Sequence, residues 1–202
     1  MRLLDIGGGF PGNDDAQNFS LQKIADAIRP VLDQLFDDSV SIISEPGRYF
    51  ACASHILCCN VYARRALPKD DPRTPEFLYY TNDGVYGSFN CILFDHVSVF
   101  PKIVKPRTTA AVDDDLKKAS EEEPVDVVAS APPSPSPPPE KYLCTLFGPT
   151  CDSMDCICKN IYLPELQVGD WIYFDNFGAY TLAAGSAFNG FKTTKQFYIM
   201  RL

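Results

Sequence analysis

A short apolar run that stops on three glycines, Leu3-Leu4-Asp5-Ile6-Gly7-Gly8-Gly9-Phe10-Pro11-Gly12, restricts the fold more than any other stretch. Residues without a Cβ let backbone amides come close to a ligand, so a strand ending there can grip an anion; the same residues also serve a tight turn with no ligand. Leu21 to Phe36 follows with apolar positions at Leu21, Ile24, Ala25, Ile28, Leu32 and Leu35, the 3.6-residue period of a helix. Val40-Ser41-Ile42-Ile43-Ser44 is a second β-rich run, bounded by Glu45-Pro46-Gly47-Arg48. Strand, glycine loop, helix, strand predicts two parallel strands. In a parallel β/α arrangement, the Gly7–Gly9 and Glu45–Arg48 loops both lie at the carboxyl ends of their strands, where such folds bind ligands. Strands of this kind expect neighbours on both edges, and no further strands of that type follow in the 202 residues.

From Tyr49 the pattern changes. Ala51 to Arg65, Glu76 to Thr81, Leu143 to Leu146 and Trp171 to Phe174 are β-branched or aromatic runs separated by turns, which predicts an antiparallel β domain. Ala51 to Leu57 is also compatible with a helical turn, whereas Val61 to Arg65 alternates as a strand. The fold class expected is therefore α/β plus β, with a first unit over residues 1–50 and a β-sheet domain over 51–202. Residues 104–140 combine lysine, acids, serine and the tract Pro132 to Pro139, with almost no aromatics. Such a composition offers no apolar face to offset the entropy of ordering, so a disordered surface insertion is expected there, ahead of a polyproline docking segment.

The net charge of −8 argues against nucleic acid or an anionic membrane as partner, since phosphate surfaces attract a basic footprint. No stretch approaches the roughly 18 consecutive apolar residues of a membrane span, and Met1-Arg2 leads into a strand rather than a signal sequence, which points to a cytoplasmic protein. Of the eight cysteines, Cys58 and Cys59 are adjacent and Cys91 stands in a strand-like run, a usage that fits reduced, buried thiols better than a disulfide framework. Cys151, Cys156 and Cys158 are too crowded for a tetrahedral zinc site, and His55 and His96 repeat no ligand spacing, so no metal is expected.

Chemistry gathers at four loops. Glu45 and Arg48, three residues apart, emerge beside the glycine loop: a carboxylate there could bond a protonated ring nitrogen and a guanidinium could hold a phosphate, or the two could simply pair. The other loops are Asn82-Asp83-Gly84-Val85-Tyr86-Gly87-Ser88-Phe89-Asn90, followed by Leu93-Phe94-Asp95-His96; Gly148-Pro149-Thr150-Cys151-Asp152-Ser153-Met154-Asp155; and Asp175-Asn176-Phe177-Gly178-Ala179-Tyr180. All are too polar and too punctuated by glycine to be plain hairpins.

On these motifs the chain resembles the eukaryotic ornithine decarboxylases, within the alanine-racemase-like, fold type III pyridoxal-phosphate decarboxylases that also include diaminopimelate and arginine decarboxylases. The resemblance runs through nearly every segment outside the insertion. It implies the last two β/α units of a (β/α)8 barrel followed by a β domain, in a homodimer with active sites at the subunit interface. It implies pyridoxal 5'-phosphate as cofactor, with Gly7, Gly8, Gly9, Arg48 and Tyr180 at its phosphate and Glu45 at its ring nitrogen. Asp95 and Asp152 would read the distal ammonium of an amino acid substrate, with Phe188 nearby, and Cys151 would protonate the carbon left after decarboxylation. Cys151 and Asp152 would do so in the opposite subunit's site. Asp152, where diaminopimelate enzymes usually carry Glu, favours ornithine, so the activity implied is decarboxylation of L-ornithine to putrescine in polyamine biosynthesis.

The family's Schiff-base lysine and its ring-stacking histidine belong to the barrel half without counterpart here, and no lysine present replaces the first by position, so these 202 residues alone are expected to be inactive. The alternative is an antizyme-inhibitor-like regulator, catalytically inactive; antizyme is a possible partner of the complete protein in either case. Retention of Asp95, Cys151, Asp152 and Tyr180 favours the enzyme.

Overall fold

The computed structural model describes residues 1–12, 20–68, 73–104 and 139–199. The insertion expected over 104–140 lies almost wholly outside the described residues. β1 (Leu3–Asp5) pairs in parallel with β2 (Ser41–Ile43), Leu3 opposite Ser41 and Asp5 opposite Ile43, and α1 (Leu21–Leu35) lies between them in the chain. The Ser20 hydroxyl caps α1 by accepting from the Lys23 amide at 3.3 Å, the N-cap role for which serine is favoured. Of the apolar stripe, Leu21, Ile24, Ala25, Ile28 and Leu32 are partly buried, while Leu35 stays 65% exposed. No residue of α1 is fully buried.

The second layer begins with α2 (Gly47–Ala51) and a 3-10 turn over Cys52–Ser54, so the ambiguous Ala51–Leu57 stretch is helical through Ser54 and enters a strand at Leu57. A six-stranded sheet follows in the order β5-β8-β3-β4-β6-β7, made of β3 (Leu57–Ala66), β4 (Phe77–Thr81), β5 (Lys102–Ile103), β6 (Tyr142–Phe147), β7 (Cys156–Leu163) and β8 (Trp171–Phe174). β3 is the long member. Its first half, Leu57 to Asn60, pairs with β8 and its second half, from Val61, with β4, a register shift between Val61 and Ala63 interrupting the second pairing.

Two expectations are corrected. The sheet is mixed, not antiparallel: β4 and β6 run parallel, Phe77 opposite Cys144 and Tyr80 opposite Phe147. Alternation reports which face a residue takes but not strand direction, and a parallel neighbour needs the long connection that residues 82–141 provide. Cys91 is not in a strand; it opens the short helix α3 (Cys91–Phe94) after a 3-10 turn at Ser88–Asn90.

The core lies where this connection folds back on the sheet. Phe89 has no exposed surface and meets the rings of Phe174 and Phe177 edge-on, at centroid distances of 4.9 and 5.1 Å. Such pairs add about 0.5–1.5 kcal/mol each beyond the area they bury. Cys59, Val61, Tyr79, Cys144, Leu146 and Ile172 complete the buried layer. The loops bearing Tyr86, Asp95 and Phe177 thereby rest on one continuous core.

Candidate active site

The structure gathers the expected residues into two groups. The first is built on the parallel pair. Beyond the strands the pairing continues, with the Ile6 amide donating to the Ile43 carbonyl at 2.9 Å and the Glu45 amide to the Gly7 carbonyl at 2.8 Å. Gly7 and Gly9 have φ of +74° and +80°, the left-handed region, and a Cβ on Gly8 would stand 2.5 Å from the Glu45 carbonyl oxygen. The triplet is therefore required by backbone geometry, and it sits directly against Glu45.

Three residues on, α2 carries Arg48. Its Nη2 is 2.5 Å from Asp95 Oδ2, and its guanidinium carbon stands 5.0 Å from the centre of the Tyr180 ring. Tyr180 holds φ of +55°, a costly conformation for an aromatic residue, and remains 56% exposed. Its loop is tied to α2 by bonds from the Phe177 amide to the His55 carbonyl and from the Gly178 amide to the Cys52 carbonyl, both 2.9 Å. Gly7, Gly8, Gly9, Glu45, Arg48, Asp95 and Tyr180 thus form one connected group. Beside it burial raises the Cys52 thiol pKa, opposed by the Arg48 charge.

The second group is built on the loop between β6 and β7. Asp152 Oδ2 accepts a short hydrogen bond from the Tyr86 hydroxyl, and its Oδ1 accepts from the Met154 amide at 2.9 Å. The Tyr86 ring stacks on Phe188 at a centroid distance of 4.2 Å. Cys151 is exposed, its Sγ 3.7 Å from the Nδ2 of Asn189. Cys151, Asp152 and Phe188 are thus joined through Tyr86 and Asn189. Asp95 and Asp152 have separate partners: Asp95 accepts from Arg48 in the first group and Asp152 from Tyr86 in the second.

Electrostatics follows from the Tyr86–Asp152 bond. It holds the Asp152 carboxyl below its ordinary pKa, helped by the Met154 amide, and pushes the Tyr86 phenol up to about 12. Asp152 is therefore a carboxylate at neutral pH, with Oδ1 and Oδ2 already oriented. Tyr86 and Asn189 are the members the sequence reading did not single out. Tyr86 lay inside a loop read only as a unit, and Asn189 stands in a 3-10 turn with φ of +54°, for which neither periodicity nor spacing gives a signal.

Residues 48–178 match the family described as pyridoxal-dependent decarboxylase, C-terminal sheet domain, and residues 1–52 match its pyridoxal binding domain. The ornithine decarboxylase of Schizosaccharomyces pombe is 43% identical over 198 residues, 98% of this chain and 39% of that protein. That of Mus musculus is 40% identical, over 99% of this chain and 39% of its own length. Antizyme inhibitor 2 of Xenopus laevis is also 40% identical, with 99% and 39% covered. The chain thus spans about two fifths of the length of the curated relatives it matches. Among solved structures, the arginine decarboxylase of Paramecium bursaria Chlorella virus superposes with a TM-score of 0.69 at 29% identity, over 95% of this chain and 43% of that one. The lysine/ornithine decarboxylase of Vibrio vulnificus complexed with cadaverine gives 0.69 at 29%, over 96% and 44%.

Proposed function

From the premise that the chain belongs to the pyridoxal-dependent decarboxylases, we propose that its two groups of residues serve the decarboxylation of L-ornithine to putrescine. The first group would hold pyridoxal 5'-phosphate. Its donor set suits a phosphate: a glycine loop with no room for a Cβ at Gly8, and a guanidinium fixed beside it by Asp95 and Tyr180. When bound, the cofactor supplies a ring that absorbs the electron pair left as carbon dioxide departs. Glu45 would hold a proton at the ring nitrogen, which keeps that ring electron-poor. Gly7, Gly8, Gly9, Arg48 and Tyr180 would bind and orient the phosphate. Asp95 and Asp152 would bind the distal ammonium, since two fixed carboxylates balance a diamine end that one leaves partly unpaired. Cys151 would return a proton from Sγ to the carbon that has lost its carboxylate, with Phe188 shielding that position from water.

The observation that carries this reading is the division of Asp95 and Asp152 between two groups within one chain. A site that takes Asp95 from one subunit and Cys151 and Asp152 from its partner accounts for that division, and supports a homodimer. The parallel β1 and β2 with α1, together with the match over residues 1–52, support the reading of residues 1–50 as the end of a (β/α)8 barrel, with residues 51–202 as the sheet domain. Among the described residues no helix is long and apolar enough to cross a membrane, in keeping with a cytoplasmic enzyme. Antizyme inhibitor 2 is as similar as the enzymes, so identity does not separate a regulator from a decarboxylase. Retention of Asp95, Cys151, Asp152 and Tyr180 supports the enzyme.

The test is a chimera in which residues 1–202 replace the matching portion of the S. pombe ornithine decarboxylase. Carbon dioxide release from carboxyl-labelled L-ornithine, above that from L-lysine and L-arginine, is expected, and Cys151→Ala or Asp152→Ala should abolish most of it. A folded, cofactor-loaded chimera that releases none from ornithine refutes the proposal.

A further inference from the structure

Asp155 has no exposed surface, yet it is not in the hydrophobic layer that buries its neighbours. Its Oδ2 accepts from the Thr150 amide at 2.9 Å and from the Thr150 hydroxyl at 2.7 Å, and its Oδ1 accepts from the Val85 amide at 2.9 Å. Thr150 immediately precedes Cys151 and Val85 immediately precedes Tyr86. Its own main chain closes the same loop, the Gly148 amide donating to the Asp155 carbonyl at 2.8 Å and the Asp155 amide to the Asp152 carbonyl at 3.0 Å. A Cβ on Gly84 or Gly148 would collide with the Asp155 carboxylate, so both loops approach it as closely as backbone allows.

A buried carboxylate is costly unless its oxygens are satisfied, and here every bond that satisfies it comes from the residue next to a site residue. The backbone bonds alone would close the loop between β6 and β7; they would not fix it to the loop of Tyr86. We propose that Asp155 is a positioning residue, whose carboxylate locks the loop of Cys151 and Asp152 to the loop of Tyr86 and so sets where the thiol and the Asp152 carboxylate point. The inference rests on the proposed roles of Cys151 and Asp152 only for its consequence in catalysis; the geometry stands without them.

The test uses the purified chain with Asp155→Asn, Thr150→Val and Thr150→Ser, and reads two properties of loop geometry. One is the ionisation midpoint of Tyr86, taken from ultraviolet titration of each variant against the same variant carrying Tyr86→Phe. The other is the alkylation rate of Cys151 relative to exposed Cys58, from peptide mass spectrometry. Thr150→Val, which leaves the Asp155 charge in place, should lower the Tyr86 midpoint toward its ordinary value, and Asp155→Asn, which also removes a charge that raises that midpoint, should lower it at least as far. Both should change the alkylation ratio at least threefold, and Thr150→Ser, which keeps the hydroxyl, should match the unaltered chain. Should Asp155→Asn fail to fold, the two Thr150 variants decide. A folded Asp155→Asn with both readouts unmoved, an unmoved Thr150→Val, or a Thr150→Ser that shifts as Val does overturns the proposal. None of these outcomes bears on whether the chimera decarboxylates ornithine, so the two claims fail separately.

Discussion

Arg48 joins an ion pair with Asp95 to a position over the Tyr180 ring, so one guanidinium couples the proposed phosphate contact to the proposed substrate carboxylate. A charge-assisted hydrogen bond contributes about 1.5–3 kcal/mol, so Arg48→Ala should weaken pyridoxal 5'-phosphate binding by about 10- to 100-fold, measured by equilibrium dialysis on the chimera. Arg48→Lys should recover only part, because a point charge cannot serve Asp95 and a phosphate with the guanidinium's fork of donors. The Tyr86–Asp152 bond gives a second expectation at this scale. Asp152 has a lowered pKa when folded, so its contribution to stability is present above its unfolded value and lost as pH falls through the folded one. Tyr86 is raised to about 12, so its contribution is present below the unfolded value of 10.0 and lost as pH rises through the folded one. The melting temperature of the chain should exceed that of Tyr86→Phe at neutral pH, and the gap should close toward both the acid and the alkaline limits.

Among the elements, the connection carrying Phe89 matters most, because it supports the Tyr86 and Asp95 loops on the sheet. Phe89→Ala removes a fully buried ring that touches Phe174 and Phe177, and should cost about 3–5 kcal/mol in urea unfolding of the chain. Legibility in the sequence varies by element for physical reasons. α1 was legible because a one-sided helix leaves a 3.6-residue stripe, and β4, β6 and β8 because short apolar runs stand between turn residues. β7 was not: Lys159-Asn160 breaks its alternation, and Asn160 at φ of +55° forms a bulge, two residues of β7 standing between Cys158 and Ile161 where β6 has only Thr145. The parallel pairing of β4 with β6 left no local signature either. In the site, the Gly7–Gly9 and Glu45–Arg48 loops were legible from parallel β/α geometry, since both ends of such strands must share one edge. The roles of Cys151, Asp152 and Phe188 came from resemblance, and Asp155 stayed hidden because one aspartate in a polar loop looks the same whether it faces water or two backbone amides.

At the scale of the whole molecule the two layers differ in how far they bury themselves. The six-stranded sheet has a continuous core, whereas Leu3, Val31, Leu35, Ile42 and Ile43 of the β1–α1–β2 unit are between 40% and 65% exposed. Under the barrel reading, further β/α units would cover that surface and bring the Schiff-base lysine. Two consequences follow for the chain on its own. It should self-associate through its open strand edges, seen as concentration-dependent light scattering. It should also release no carbon dioxide from labelled ornithine. Mixed with a full-length ornithine decarboxylase whose matching cysteine has been changed to alanine, it should restore release, because a hybrid interface would join the partner's lysine to Cys151 and Asp152 of this chain. The restored rate should vanish when the added chain carries Cys151→Ala, which separates complementation from mere stabilisation of the partner. Turnover by the chain alone would place the lysine among these residues after all, and absence of rescue from a mixture shown to contain hybrid dimers would remove Cys151 from the partner's site.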